Sequence, residues 1–267
     1  MWEIQADISS GYQFEKPSQQ WELHYDLQEI SGLDFDQTKN TLLAINDEKG
    51  KIYQIAPESG TSEVLYDFHK NGDYEGIAIA GKHIYVLKSN GKLYRYNVEK
   101  DKTKVIETGL SAKNDTEGLC YDRDSHSLLI ACKGQTKDNK KGVKAVYKYD
   151  LETKELASKK AIKIKVDKLV EQAKEHDLDA NQIWRLKRFS PSGIAIHPQT
   201  QQRFILSARG STLLVYDDQQ IAEYLVFLDI NKLPQPESIC FDSEGNLFIA
   251  SEGKGGRGKL LKFKVQN

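Results

Sequence analysis

The chain has 267 residues, 39% of them apolar and 29% charged, with a net charge near −1, which is the balance of a well-solvated globular protein. It lacks the basic excess of a nucleic-acid binder, and no apolar run reaches the roughly 18 residues that a bilayer span needs. Cys120, Cys132 and Cys240 form no C-x-x-C pair, which argues against a disulfide framework or a thiolate zinc site.

Residues 1–18 read as an N-terminal extension. The opening, Met1 to Asp7, has neither the basic nor the apolar region of a signal peptide. It suits a cytoplasmic protein or a chain whose export segment has been removed. An isolated strand follows at Gln20 to Asp26. The chain then enters a repeat.

Each repeat begins with a small or acidic residue, then Gly or Ser, then a short apolar run. The five instances start at Ser31-Gly32-Leu33, Glu75-Gly76-Ile77, Glu117-Gly118-Leu119, Ser192-Gly193-Ile194 and Glu237-Ser238-Ile239. A turn and a second run follow: Thr41 to Ile45, His83 to Leu87, Ser127 to Ala131, Arg203 to Ser207 and Asn246 to Ala250. A third run carries Tyr53, Tyr94, Tyr147, Tyr216 or Phe263, and four repeats add a fourth strand. The spacings are 44, 42, 75 and 45 residues, and about 40 to 45 residues with four strands is the period of a propeller blade.

The predicted fold is therefore all-β: a five-bladed β-propeller of four-stranded antiparallel blades, one domain over residues 19–267. The last repeat lacks a fourth strand, and the strand at Gln20 to Asp26 lacks a blade. Pairing them closes the ring and removes an exposed edge. The long 75-residue interval holds a polar loop, Gly134 to Gly142, and a helical insertion over 166–189. Both fall on one mouth of the ring, where long loops on a rigid scaffold tend to carry function.

The opening residues of the innermost strands, Ser31, Glu75, Glu117, Ser192 and Glu237, are expected at that same mouth. Two residues earlier stand Glu29, Asp73, Asp115, Ser190 and Gln235, on the same side of an extended strand. Converging carboxylates repel, by roughly 4 kcal/mol for charges about 4 Å apart at a dielectric near 20. They are protonated, neutralised by a cation, or paired with Lys88, Lys133 or Arg209. Oxygen donors without His or Cys favour calcium among metals, with Glu75, Glu117, Glu237 and Glu29 as ligands. The alternative is a repeated device that fixes blade spacing and holds no metal.

The motifs Glu75-Gly76-Ile77-Ala78, Glu117-Gly118-Leu119, Pro191-Ser192-Gly193-Ile194-Ala195, Pro236-Glu237-Ser238-Ile239 and Ile249-Ala250-Ser251-Glu252 resemble those of the bacterial SdiA-regulated family. The resemblance runs over about residues 20 to 265, and single motifs are also NHL-like. It implies a five-bladed propeller, bound calcium, and an extracytoplasmic location, periplasmic or cell-surface. Glu75, Glu117 and Glu237 match the family's acidic positions, whereas Ser31 and Ser192 depart from them.

No G-x-S-x-G, H-E-x-x-H, P-loop or dinucleotide fingerprint is present. The glycine-rich run Gly253 to Gly258 lies between strands and reads as a hairpin. Two functions are compatible with these residues. One is a calcium-binding module taking a ligand or protein partner at the mouth through Lys133, Arg209, Glu252, Trp184 and Arg188, with Arg185 and Lys187 beside them. The other is a calcium-dependent hydrolase, lactonase-like or phosphoesterase-like.

Overall fold

The strands that the repeat predicts are present, and in four of the five blades the first strand is irregular at the same place. The structure is a computed structural model and describes residues 3–4 and 11–266. Five sheets are arranged as a ring. Blade 1 comprises Ile30–Asp36, Thr41–Asn46, Lys51–Ile55 and Ser62–Asp67. Blade 2 comprises Tyr74–Ala80, His83–Lys88, Lys92–Asn97 and Lys102–Glu107. Blade 3 comprises Thr116–Asp122, Ser127–Cys132, Val143–Asp150 and Ile162–Lys165. Blade 4 comprises Gly193–Ile196, Arg203–Ser207, Thr212–Tyr216 and Ala222–Phe227. Blade 5 comprises Pro236–Phe241, Leu247–Ser251 and Lys259–Phe263, completed by Gln19–Glu22 from the start of the chain.

That completing strand pairs antiparallel to Lys259–Phe263, Trp21 opposite Leu260. Trp21 also covers the hairpin of blade 1, where Gly60 sits at φ +70° and an added Cβ would lie 2.5 Å from the Trp21 side chain. One short strand thus joins the last blade and leans on the first. The residues before it are packed as well. Tyr12 is fully buried among Phe14, Phe204 and Phe241, and its hydroxyl donates to the Gly245 carbonyl at 2.6 Å. Glu3–Ile4 adds a parallel fifth strand to blade 4.

Second strands are covered on both faces by adjacent blades, so Thr41–Asn46, Ser127–Cys132 and Leu247–Ser251 are buried throughout. Outer strands such as Lys102–Glu107 are mostly exposed and polar. Cys132 and Cys240 are buried and Cys120 is partly so; all three are free thiols, as the sequence implies for Cys120 and Cys240.

The insertion forms two short helices. Helix α1, Val166–Ala173, turns Val166, Leu169, Val170 and Ala173 inward at helical spacing. Helix α2, Ala180–Lys187, starts with a capping box between Asp179 and Gln182. It buries Leu186 and leaves Trp184 outside, 54% exposed.

In four blades the ladder between first and second strands slips by one residue: at Ile30/Gly32, Tyr74/Gly76, Thr116/Gly118 and Pro236/Ser238. The skipped residues are Ser31, Glu75, Glu117 and Glu237. A β-bulge re-aims its extra side chain and bends the strand. Gly32, Gly76 and Gly118, which follow three of them, and Gly193 at the matching position of blade 4 permit close approach between neighbouring blades. A Cβ on Gly76 would meet the Glu117 carbonyl at 3.0 Å, and one on Gly193 the Glu237 carbonyl at 2.9 Å.

A Cβ on Gly118 would lie 2.9 Å from backbone atoms of Gly193 and Ile194, which cannot rotate aside. Gly118→Ala is therefore expected to cost about 1–3 kcal/mol, read as a fall of several degrees in Tm. Gly81→Ala meets nothing within 4 Å at φ +59° and carries only the left-handed penalty, about 1 kcal/mol. Thermal unfolding of the two variants checks the order, and equal losses would remove close approach as the reason for glycine at the axis.

Candidate functional site

The channel between the innermost strands is closed to solute. Ser31, Glu75, Ser192 and Glu237 stand around it with an aliphatic collar of Leu33, Ile77, Leu119, Ile194 and Ile239, and the free space is about 10 Å³, at the lower limit for one water molecule. The ring therefore has two separate mouths.

At the mouth bearing the insertion, the five aligned residues divide by chemistry. Ser31 Oγ donates to the Tyr74 carbonyl at 2.7 Å, and Ser192 Oγ to the Pro236 carbonyl at 2.9 Å. Both serines tie one blade to the next. Thr116 Oγ1 does the same toward the Lys88 carbonyl at 2.8 Å. The glutamates are left with the charge problem.

Burial pushes the Glu75 carboxyl well above its ordinary range, and Glu117, Asp73 and Glu237 add to the shift by repulsion. Glu237 rises to about 8, from burial first and then from Glu117 and Glu252. Glu117 is 4% exposed and is also raised by burial, against which Lys133 acts. Lys133 Nζ lies 2.6 Å from Glu117 Oε1. Burial opposes the lysine's charge, but Glu117 more than offsets this and its pKa rises. The sequence offered Lys88, Lys133 and Arg209 as neutralising cations, and Lys133 makes the ion pair.

Glu29 acts on two further carboxylates. It raises Asp47 and Glu252, whose carboxyls burial and mutual repulsion lift to about 6 and about 7. Asp47 Oδ1 is buried without a hydrogen-bond partner among the described residues. Glu252 links these groups to the others, since it is raised by Glu29 and Glu117 and itself raises Glu237. Calcium takes about six to eight oxygens. Among the described residues no three His, Cys, Asp or Glu side chains are grouped to hold a metal, and the Lys133 ammonium occupies the counter-charge position at Glu117. As folded, these residues do not fit a resident calcium ion.

The expected ligand residues converge better. A cavity of about 610 Å³ is lined by Lys133, Trp184, Arg188 and Arg209, and Glu237 is in its wall. Glu252 lies behind it, accepting from Gln235 Nε2 at 2.6 Å, and Gln235 is itself a lining residue. Arg185 fastens α2 to blade 4, with Nε donating to the Gly210 carbonyl at 2.8 Å and Nη2 to those of Ser211 and Leu228 at 2.6 Å each. Lys187 is exposed and absent from the lining. Sequence reasoning missed Lys254 and Ile230, both in the lining. Lys254 was within reach of it, because it lies in a second-to-third-strand loop that must share this mouth.

The opposite mouth holds a second cavity, about 620 Å³, with Asp34 at its base. Burial lifts the Asp34 carboxyl to about 6, although it accepts from the Ile79 and Phe35 backbone N–H groups at 2.7 and 2.8 Å.

A ring of this kind, its channel plugged and one mouth built over with helices and cations, defines the chain as a five-bladed β-propeller with a polar mouth cavity. The chain belongs to the SdiA-regulated family, whose family model matches residues 9–254. No curated protein matches it. Among solved structures it is similar to glutaminyl cyclase of Myxococcus xanthus, with TM-score 0.60 and 13% identity over 94% of this chain and 96% of that one. It is also similar to a gluconolactonase of Xanthomonas campestris, with TM-score 0.55 and 14% identity over 93% and 79%. The WD40 repeats of RRP9 give TM-score 0.52 and 11% identity over 95% and 100%. At such identities the likeness is one of fold, and fold does not carry function. Among the described residues no helix is long and apolar enough to cross a membrane.

Two predictions follow from the electrostatics. Glu237 is raised from 4.5 to about 8 in the folded chain, so the folded state holds a proton that the unfolded state releases earlier. Its contribution is fully present below pH about 4.5 and is lost as pH rises through 8. Glu237→Gln is expected to flatten the stability profile between those values and to raise stability at pH 9 by about 2 kcal/mol, measured by urea unfolding across pH.

Lys133→Met strands a buried carboxylate and is expected to cost about 2–3 kcal/mol, somewhat below the range for a fully buried pair because the lysine is partly exposed. The double variant with Glu117→Gln should recover most of that loss. With Lys133 as the counter-charge, chelator and millimolar calcium are expected to leave the wild-type Tm unchanged. A calcium-dependent rise abolished by Glu117→Gln would install the ion instead.

Proposed function

We propose that this protein is a small-ligand-binding propeller whose site is the cavity at the insertion-bearing mouth. The observation that carries the reading is the convergence of Lys133, Trp184, Arg188 and Arg209, from a blade strand end, a helix and a loop, on one concavity of about 610 Å³. That size is typical of small-molecule sites. The scaffold supports binding without large motion, since α2 is fastened to blade 4 through three carbonyls.

A second reading, hydrolysis, has one observation in its favour. The Glu237 carboxyl is raised to about 8, so it is protonated at neutral pH, and it stands in the cavity wall. A neutral carboxyl there can donate a proton to a leaving group or a carbonyl oxygen.

The test is a thermal-shift panel of carboxylates, phosphates, polyols and amines on wild type and on Ala208→Trp, a substitution in the cavity lining. A ligand at about 100 times its Kd adds about 2.7 kcal/mol of stability, and Ala208→Trp is expected to erase that gain. If no member shifts Tm, or if the shift survives Ala208→Trp, the cavity is not the site. Lactone and phosphoester hydrolysis lost in Glu237→Gln would promote the second reading over the first.

A further inference from the structure

The cavity's uncommitted groups narrow the class of ligand. Five cationic side chains line it: Lys133, Arg185, Arg188, Arg209 and Lys254. Two are already used. Lys133 is paired with Glu117, and Arg185 is bound to backbone carbonyls. Arg188, Arg209 and Lys254 form no ion pair with any carboxylate among the described residues, and all three are exposed. An exposed lysine or arginine by itself is ordinary surface. Three that share one concavity, in a chain of net charge near −1, make a local positive field that draws anions.

The wall opposite in character is apolar. Among the described residues the exposed large hydrophobic side chains are Tyr25, Val64, Val105, Trp184, Ile221 and Ile230. Trp184 and Ile230, each 54% exposed, both line this cavity, together with Pro234. The Arg188 guanidinium lies over the Trp184 ring, 4.6 Å from its centre, which holds a cation beside a flat apolar surface. A guanidinium so placed can still present its N–H fork to a carboxylate. Water against an indole and an isoleucine is released when a planar apolar group replaces it.

Resting on the ligand-binding reading above, the geometry points to a small organic anion with a flat apolar body. Arg188, Arg209 and Lys254 hold its charged group, and Trp184, Ile230 and Pro234 take its body. A bare inorganic anion leaves the apolar wall wet, and a neutral aromatic leaves the cations unanswered.

The probes are 2-naphthoate, 2-naphthylmethanol and inorganic phosphate, titrated by calorimetry into the full chain. Naphthoate is expected to bind about tenfold or more tightly than either of the others. Arg188→Gln with Arg209→Gln should weaken it about tenfold, and Trp184→Ala several-fold; all three positions are exposed, and circular dichroism checks that the variants fold. Phosphate or naphthylmethanol binding as well as naphthoate would overturn the proposed class, as would naphthoate binding unaffected by the double arginine variant. Ala208→Trp separates this from failure of the site itself. If it abolishes binding of some other probe, the cavity stands and the class falls. If naphthoate binding persists in it, or if neither these probes nor the wider panel binds, both fall.

Discussion

Everything at the mouth depends on how closely five backbones approach one axis. Gly32, Gly76, Gly118 and Gly193 place main chain against main chain, so that even a methyl group would press on the next blade. In four of the five blades the register also slips one residue before the glycine or its serine counterpart. The extra residue of each slip faces the ring's mouth. Close approach and the slips together decide where the glutamates stand, and their crowding decides the electrostatics that follow.

That crowding is resolved by several partial means. Two blades carry serine in place of glutamate and use it to bond the next blade. Lys133 neutralises Glu117. Glu75 and Glu237 are held toward the protonated form by burial and by their neighbours. The mouth at neutral pH is consequently less acidic than its sequence suggests. This lets the cationic rim of Arg188, Arg209 and Lys254 set the character of the cavity above it.

The blade count, the closing strand and the mouth positions were all legible in the sequence, for one physical reason. A repeat whose units must each meet the same axis writes the same residue pattern at the same strand position, so Glu75, Glu117 and Glu237 align without a structure. The Lys133 pair was foreseeable from its place at a second-strand end. The register slip at Ser31 and the effect of Glu29 on Asp47 and Glu252 emerge only from the assembled ring, because side-chain alternation does not carry through a bulge. Only Leu186 of α2 is buried, because Arg185 fixes that helix to the blade and leaves Trp184 in the cavity lining. Lys254 was foreseeable from its loop, but Ile230 lies in a connection with no periodicity, and only the assembled ring brings it beside Trp184. The burial of Tyr12 and Phe14 in the seam of blades 4 and 5 left no pattern that a short extension could show.

The closing strand has a consequence for how the protein comes into being. Gln19–Glu22 is synthesised before the other strands of the blades, and its partner Lys259–Phe263 after them. Four blades can assemble from neighbouring hairpins as the chain emerges, but blade 5 waits for both ends. Until then an amphipathic segment bearing Trp21 has no ladder to join, and the hairpin at Gly60 lacks its cover. Such long-range pairing is slow compared with local hairpins, and an unpaired edge in the waiting state can capture a strand from another chain. Closing the ring thus rests on one pairing that spans the whole propeller, Trp21 opposite Leu260.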